Sequence, residues 1–369
     1  MKTSRKNWLL VGGALSGYTF DLFETIASLG GIDMRFLYDP LDGLPSFQHE
    51  QTAERAMNRL HWKEASWLQI RRFVRTPSPD AVFVYGTRPL ANIDFALAQI
   101  PSAVPVYYAA DTNIVDLAQR PALTIGRRLA CAPIAGRSTA ALSLGITNRL
   151  ALQALGFRRT IELPVYAIDF AALDAAAASI DVGCSKTRDG EIVILIVARL
   201  TPVKNLPGFV GALANESDLL GRIRLVIAGE GPDRASLQEI QNRSPSLRME
   251  LLGPVSRQSI GAVFRRADAL VLPSTVEPWG IVVVEALGMG LPVVATPAVG
   301  AALSLAGYTG AVLLSTDTEP QSVLAALHRY VEKRGLLATV ARESMSYIRA
   351  HYDRLTVAKA MLRLVYGES

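Results

Sequence analysis

Short apolar runs alternate with stretches of helical spacing along most of the chain. Residues 7–11, 33–38, 81–85, 104–108 and 160–163 read as strands, with helical stretches between them, notably 52–74 and 138–155. Strands alternating with helices imply βαβ units and a parallel sheet. After Pro164 comes an alanine-rich stretch to Ile180, and then a polar segment, 181–190, with two glycines. Such a segment is a natural domain boundary. A second series begins at Glu191. Residues 192–197 form a continuous apolar run, as expected for a strand buried on both faces. Further runs lie at 223–228, 249–252, 269–272 and 292–295, and from Glu319 the chain reads as helices. The pattern predicts an α/β chain of two doubly wound, Rossmann-like domains, 1–180 and 181–345. A helical tail, 346–369, follows, with the first domain as the surface for it to pack back on.

Two stretches mimic membrane signals. Lys2, Arg5 and Lys6 precede an apolar run from Trp8 to Leu15. Gly12, Gly13, Ser16 and Gly17 interrupt that run, no A-x-A cleavage site follows, and Phe20, Leu22, Phe23 and Ile26 continue at helical spacing. A strand, a glycine turn and a helix therefore fit better than a signal peptide. Residues 286–316 carry no charge, but Gly288, Gly290, Pro292, Pro297, Gly300, Gly307 and Gly310 punctuate them. They read as a helix end, a buried strand, a turn and a strand, not as a spanning helix.

Composition narrows the function. The 369 residues are 50% hydrophobic and 19% charged, which excludes disorder for the bulk of the chain. A net charge of +5 is a mild bias that suits phosphate-bearing ligands or an anionic membrane. Cys131 and Cys184 are too few for a disulfide scaffold or a cysteine-built zinc site, and suit a reducing cytoplasm. His49, His61, His328 and His351 form no H-E-x-x-H, and there is no P-loop and no G-x-S-x-G elbow. No Asp-x-Asp pair offers a metal site, so no metal or other cofactor is expected. Gly12 and Gly13 do not complete a dinucleotide fingerprint. They sit on the first strand-to-helix turn, where backbone N–H groups could hold an acceptor or a donor phosphate.

In open parallel sheets, ligands bind on loops beyond the carboxyl ends of strands. After the first strand of the second domain, Arg199 and Lys204 stand five positions apart, placed to clamp a diphosphate, unless they are simply solvated cations. After the next strand, Gly229-Glu230-Gly231-Pro232 allows tight turning and close backbone approach. Residues 273–286 are the most informative. Glu277 lies in a loop, a helix is expected from about Gly280, and the N–H groups of Gly280 and Ile281 would face an anion at its positive end. Glu277 and Glu285 would flank that anion and accept hydrogen bonds from a sugar and a ribose. Glu285 sits among apolar neighbours, so it should be buried and partnered.

The Glu-x7-Glu spacing of Glu277 and Glu285 resembles the signature of retaining glycosyltransferases of the GT-B fold, family 4 (group 1) type. Arg199 with Lys204-Asn205, Ala228-Gly229-Glu230-Gly231-Pro232, Leu252-Gly253-Pro254-Val255, Ala267-Asp268, Glu277-Pro278-Trp279-Gly280 and 290–295 add to the likeness. It is dense from about 191 to 300 and looser in the first domain. The resemblance implies two domains facing across a cleft, with a nucleotide-sugar bound mainly to the second and a glycan, lipid-linked or small-molecule acceptor to the first. It implies transfer with retention, in a process such as polysaccharide biosynthesis. Carried over, Glu277 contacts the donor sugar, Glu285 the ribose, and Arg199 and Lys204 neutralise the leaving diphosphate. Gly229, Gly231, Gly253, Val255, Gly280 and Ile281 count as further substrate-binding positions. The chain departs from the family twice. Where many members carry a histidine after the strand at 104–108, this sequence reads Ala109-Ala110-Asp111-Thr112-Asn113. Asp111 is the substitute, unless it caps a helix from Ile114. The stretch 300–310 also lacks the acidic residues often found there.

Other classes stay in view. A nucleotide-sugar epimerase would share the architecture but not the motifs around Glu277 and Glu285. A non-catalytic nucleotide-sugar-binding or partner subunit is the alternative that the missing histidine keeps open. Nucleic acid is not expected, because no basic run is interleaved with stacking aromatics. Trp62, Lys63, Trp67, Ile70, Arg71, Arg72, Phe73 and Arg75 mix aromatics and cations on an expected helix. Such a face either lies on an anionic membrane or packs on its own sheet. The expected location is the cytoplasm, with peripheral contact at the inner face of a membrane as a further expectation.

Overall fold

The computed structural model describes residues 6–13, 16–39, 58–86, 90–179 and 190–367. They form two compact units. The first is Met1–Ile168 with Tyr352–Ser369, and the second is Asp169–His351. The changeover at 168 precedes the polar segment that suggested a boundary at 180.

The first unit is a seven-stranded parallel sheet in the order β3-β2-β1-β4-β5-β6-β7. Its strands are β1 (Lys6–Gly13), β2 (Ile32–Asp39), β3 (Arg59–His61), β4 (Ala81–Tyr85), β5 (Val106–Ala109), β6 (Ala140–Ser143) and β7 (Thr160–Glu162). β1 is central, paired with both β2 and β4, so the chain changes direction of travel there. Leu9, Val11, Val82, Val84 and Tyr108 pack on one face against Ile70, Val74, Ile93, Cys131, Ile134 and Leu152 from the helices. On the other face the C-terminal helix Arg354–Tyr366 packs on the helix Gly17–Gly30. Tyr366 Oη accepts from Trp8 Nε1 at 2.8 Å, and the Lys6 ammonium sits 3.7 Å above the Tyr366 ring.

The second unit is a six-stranded parallel sheet in the order β10-β9-β8-β11-β12-β13. Here β8 is Ile192–Val197, β9 Ile223–Ala228, β10 Arg248–Gly253, β11 Ala269–Leu272, β12 Val293–Ala295 and β13 Val312–Leu314. β8 is the centre, buried on both faces as its apolar run requires. Helices Pro320–Tyr352, Leu206–Leu213 and others cover its core.

Three expectations change. The helix expected over 52–74 begins in residues outside those described. From 58 onward it gives way to the edge strand β3 and a shorter helix, Trp67–Arg75, with Ser66 in a capping box with Gln69. The helix expected over 138–155 divides into β6 and a helix Ile146–Ala154, because the buried Ala140–Ser143 segment completes the sheet between β5 and β7. The expected turn within 286–316 is instead a helix, Gly300–Thr309. Six of its ten residues are buried and none is charged, so no polar face marks it in the sequence. Among the described residues, no helix is long and apolar enough to cross a membrane.

Candidate active site

The loops that follow β8, β9, β10 and β11 meet at the carboxyl end of the second sheet. β8 and β11 are neighbours at the point where the strand order reverses, the place where open α/β sheets leave a crevice. The loop after β8 enters a 3-10 turn, Pro202–Lys204, closed by Asn205 at φ 52°. Asparagine tolerates this left-handed conformation better than most residues. It directs Lys204 inward and starts the helix Leu206–Leu213. The loop after β11 is tied to it by Thr275 N–H, which donates to Val203 O at 2.9 Å.

That tie brings Lys204 and Glu277, 73 residues apart, into an ion pair. Their side chains are only 10% and 16% exposed, so the attraction is little screened by water. Glu277 is held by its backbone as well. Its carbonyl accepts from Gly300 N–H at 3.1 Å, and the Trp279 carbonyl accepts from Ala301 N–H at 2.7 Å. The first N–H groups of the helix Gly300–Thr309 are thus spent on the loop, which explains how that turn does without an acidic side chain. Gly280, at φ 86°, caps the helix Ile281–Gly288. A Cβ there would press Glu277 and Val299 at 3.0 Å. Glu285 lies in the second turn of this helix, 4% exposed among Val282, Val283, Val284 and Ala286. Arg199 is exposed at the head of the β8 loop.

The glycines of the neighbouring loops serve backbone packing. Leu200 N–H donates to Glu230 O at 2.9 Å, Asp233 N–H to Leu200 O at 3.0 Å, and Gly229 N–H to Gly253 O at 2.7 Å. A Cβ on Gly229 would lie 1.8 Å from Ala198 O, and one on Gly231 would lie 2.4 Å from Leu200 O. Their missing side chains are therefore required by the adjoining loop, whatever else approaches. Val255 follows, half-buried, after Pro254. The helix after this turn starts at Arg234.

At the carboxyl end of the first sheet, Gly12 faces Tyr85 across β1 and β4, and a Cβ on it would lie 2.2 Å from Tyr85 O. Gly13 ends β1, and residues 14 and 15 lie outside the described set. Asp111 follows β5. It caps no helix: Asn113 does so, its Oδ1 accepting from Asp116 N–H at 2.9 Å. Asp111 is exposed by area, yet enough protein surrounds it that desolvation raises its carboxyl above the usual range. Hydrogen bonds from its own backbone N–H and from Tyr166 oppose that rise. Sequence reasoning gave Tyr166 no role at this site; its signal was its place in the stretch 165–169 of the first domain's loose family likeness. Burial also pushes the neighbouring Tyr85 hydroxyl well above its ordinary range, with Tyr166 adding to the effect. Among the described residues, no cluster of histidine, cysteine and carboxylate groups could hold a metal ion.

Residues 184–346 match the family model of glycosyl transferases group 1. An uncharacterised glycosyltransferase of Methanocaldococcus jannaschii is 27% identical over 175 residues, 47% of this chain and 44% of the relative. The alpha-monoglucosyldiacylglycerol synthase of Acholeplasma laidlawii is 32% identical over 108 residues, 29% of this chain and 27% of the relative. The aligned stretch thus spans less than half the length of these curated relatives. The whole architecture is similar to the crystal structure of Anabaena HepE in complex with UDP. The TM-score is 0.74 at 18% identity, covering 98% of this chain and 100% of that one. Residues 184–346 are thus similar to glycosyl transferases group 1, in a chain with the two Rossmann-like units of the GT-B fold.

Proposed function

We propose that this protein is a retaining glycosyltransferase of the family 4 type, moving a sugar from a nucleotide-sugar donor to an acceptor. The observation that carries the reading is the convergence of Lys204 and Glu277 at the switch point of the second sheet, beside the helix that bears Glu285. Breaking the bond between the sugar and the diphosphate leaves negative charge on the leaving group. Lys204 and Arg199, with the N–H groups at the start of the helix Ile281–Gly288, are placed to stabilise that charge, usually the largest catalytic term. Glu277 then accepts from donor-sugar hydroxyls while keeping Lys204 oriented, and Glu285 accepts from the ribose. Gly229, Gly231, Gly253 and Val255 shape the donor pocket through backbone placement.

The acceptor, a glycan, a lipid-linked sugar or a small molecule, is assigned to the first unit. Asp111 takes the place of the family's histidine there, and the turn at Gly12 and Gly13 adds backbone contacts. Neutralisation by cations and a helix end needs no metal. Work at the cytoplasmic side of a membrane, in polysaccharide assembly, fits this chemistry. Two comparisons support the reading by analogy: the Acholeplasma relative is named for a glucosyl-lipid product, and HepE was solved with UDP.

The test is a panel of nucleoside diphosphates and their sugars. One nucleotide should raise the melting temperature by mass action, and its sugar conjugate should be turned over in chelator. Nucleotide binding without turnover of any conjugate would leave the binding-subunit alternative standing. Activity lost in chelator and restored by magnesium or manganese would contradict the metal-free mechanism.

A further inference from the structure

The first unit carries a surface that the proposed transfer does not use. Two of its helices, Trp67–Arg75 and Pro121–Arg137, pack on either side of the helix Leu90–Ala98. The Trp67 ring meets the edge of Phe95 with centroids 4.6 Å apart. At the other end, Arg75 Nε donates to Gln99 O at 3.2 Å and Arg137 Nη2 to Pro101 O at 2.7 Å. Ile70, Val74, Cys131 and Ile134 face the sheet, so the opposite sides of both helices face outward.

Those outward sides have an unusual make-up. The two helices hold six arginines and no carboxylate, more positive charge than the whole chain's net +5. Among them Arg71, Arg72 and Arg128 are exposed. Between these cations stand large apolar side chains open to solvent: Leu68 at 75%, Leu129 at 72%, Ile125 at 64%, Trp67 at 55% and Leu123 at 46% exposure. Side chains this apolar are normally buried, and a group of them marks an interaction surface.

Topology says where they gather. In a parallel βαβ unit the crossover helix runs back against the strands, so its first turn lies at their carboxyl ends. Trp67 and Leu68 open one helix, and Leu123 and Ile125 lie near the start of the other. Four of the five apolar residues therefore lie toward the end of the sheet that also bears Asp111, with Leu129 farther along its helix.

The composition selects the occupant. A second copy docked face to face would set arginine against arginine. A nucleic acid would use the cations but leave aliphatic side chains with no base to stack on. An anionic bilayer satisfies both: arginines reach the headgroups while Leu, Ile and Trp enter the acyl boundary. We infer that this face of the first unit docks on an anionic lipid surface through helices Trp67–Arg75 and Pro121–Arg137, and so brings the carboxyl end of the first sheet to the membrane. Trp62, which the sequence grouped with these residues, takes no part, because it is buried at 4% exposure. The inference does not depend on the glycosyl-transfer reading, and its test uses no sugar substrate.

Of the four tryptophans, Trp8, Trp62 and Trp279 are buried and Trp67 alone is exposed, so its emission reports this face. The full chain is mixed with vesicles of phosphatidylcholine, or of phosphatidylcholine and phosphatidylglycerol in equal parts. Co-sedimentation with the anionic vesicles only, with a blue shift that Trp67→Phe abolishes while still binding, is the expected result. The exposed-site variant R71Q/R72Q/R128Q should partition about 100-fold more weakly, at about one factor of five per arginine. Wild-type binding should also weaken as salt rises, a readout that needs no variant. Failure to bind anionic vesicles, equal binding to both kinds, binding with unchanged emission, or retention on DNA or self-association in place of vesicle binding would each overturn the inference.

Discussion

The two sheets share a strand order about their switch points, yet the loops at their carboxyl ends are built differently. In the second unit, four loops are laced backbone to backbone, and a shielded Lys204–Glu277 pair stands at the crossing of two of them. Among the described residues of the first unit, the corresponding end holds Asp111, whose carboxyl desolvation raises, with tyrosines and a glycine pressed against a carbonyl. Charge that must be in place before a diphosphate departs favours the rigid, charged arrangement. The contrast explains why the likeness to known families is dense in one unit and loose in the other.

The largest effect should come from breaking the charged crossing. Lys204→Ala should lower turnover by about 10²–10³-fold, as expected when a preorganised charge is removed. It should also cost about 3 kcal/mol of stability in a denaturant titration, because the Glu277 carboxylate stays shielded without its cation. Combining Lys204→Met with Glu277→Leu should recover that stability but not turnover, which separates the pair's structural role from its chemical one. Arg199→Ala, at an exposed site, should slow turnover with an unchanged melting temperature.

Glu285→Gln should come next. The ribose would lose a charged acceptor worth about 1.5–3 kcal/mol, so calorimetry should show roughly 10–100-fold weaker donor binding. The fold should hold, since glutamine keeps the volume.

The smallest effect on stability, and the sharpest probe of the contrast, is Asp111→Asn. The folded pKa of Asp111 is raised, so the native state holds its proton more tightly than the unfolded chain does. The resulting penalty is absent below the ordinary carboxylate range and grows as pH rises through the folded value. The asparagine variant should match wild type in acid and melt slightly higher at neutral pH. It should lose activity if the carboxylate meets substrate. A variant with full turnover would move acceptor recognition elsewhere in the first unit.

The sequence made parts of this structure legible for physical reasons. β8 was readable because a strand buried on both faces must be apolar throughout. The helix start at Gly280 was readable because glycine and an apolar run mark it. β6 was not, because Ala140–Ser143 merges without a break in periodicity into the helix that follows. β3 is a three-residue edge strand, Arg59–His61, with no apolar run to betray it. The helix Gly300–Thr309 hid because it is mostly buried and carries no charged side chain, so no polar stripe marks it. The Lys204–Glu277 pair could not be read from spacing, since it is made by the neighbouring placement of β8 and β11. The same topology shows that Gly229 and Gly231 answer to adjoining carbonyls, where the sequence suggested tight turning and close backbone approach.

The central claim is that the charged crossing of the second unit drives sugar release with retained configuration. It is tested most directly by proton NMR of the sugar freed when the enzyme slowly hydrolyses its nucleotide-sugar without acceptor. The account predicts that the first anomer to appear has the donor's own configuration, and that Lys204→Ala abolishes its appearance. First appearance of the opposite anomer, or unchanged release by Lys204→Ala, would contradict it.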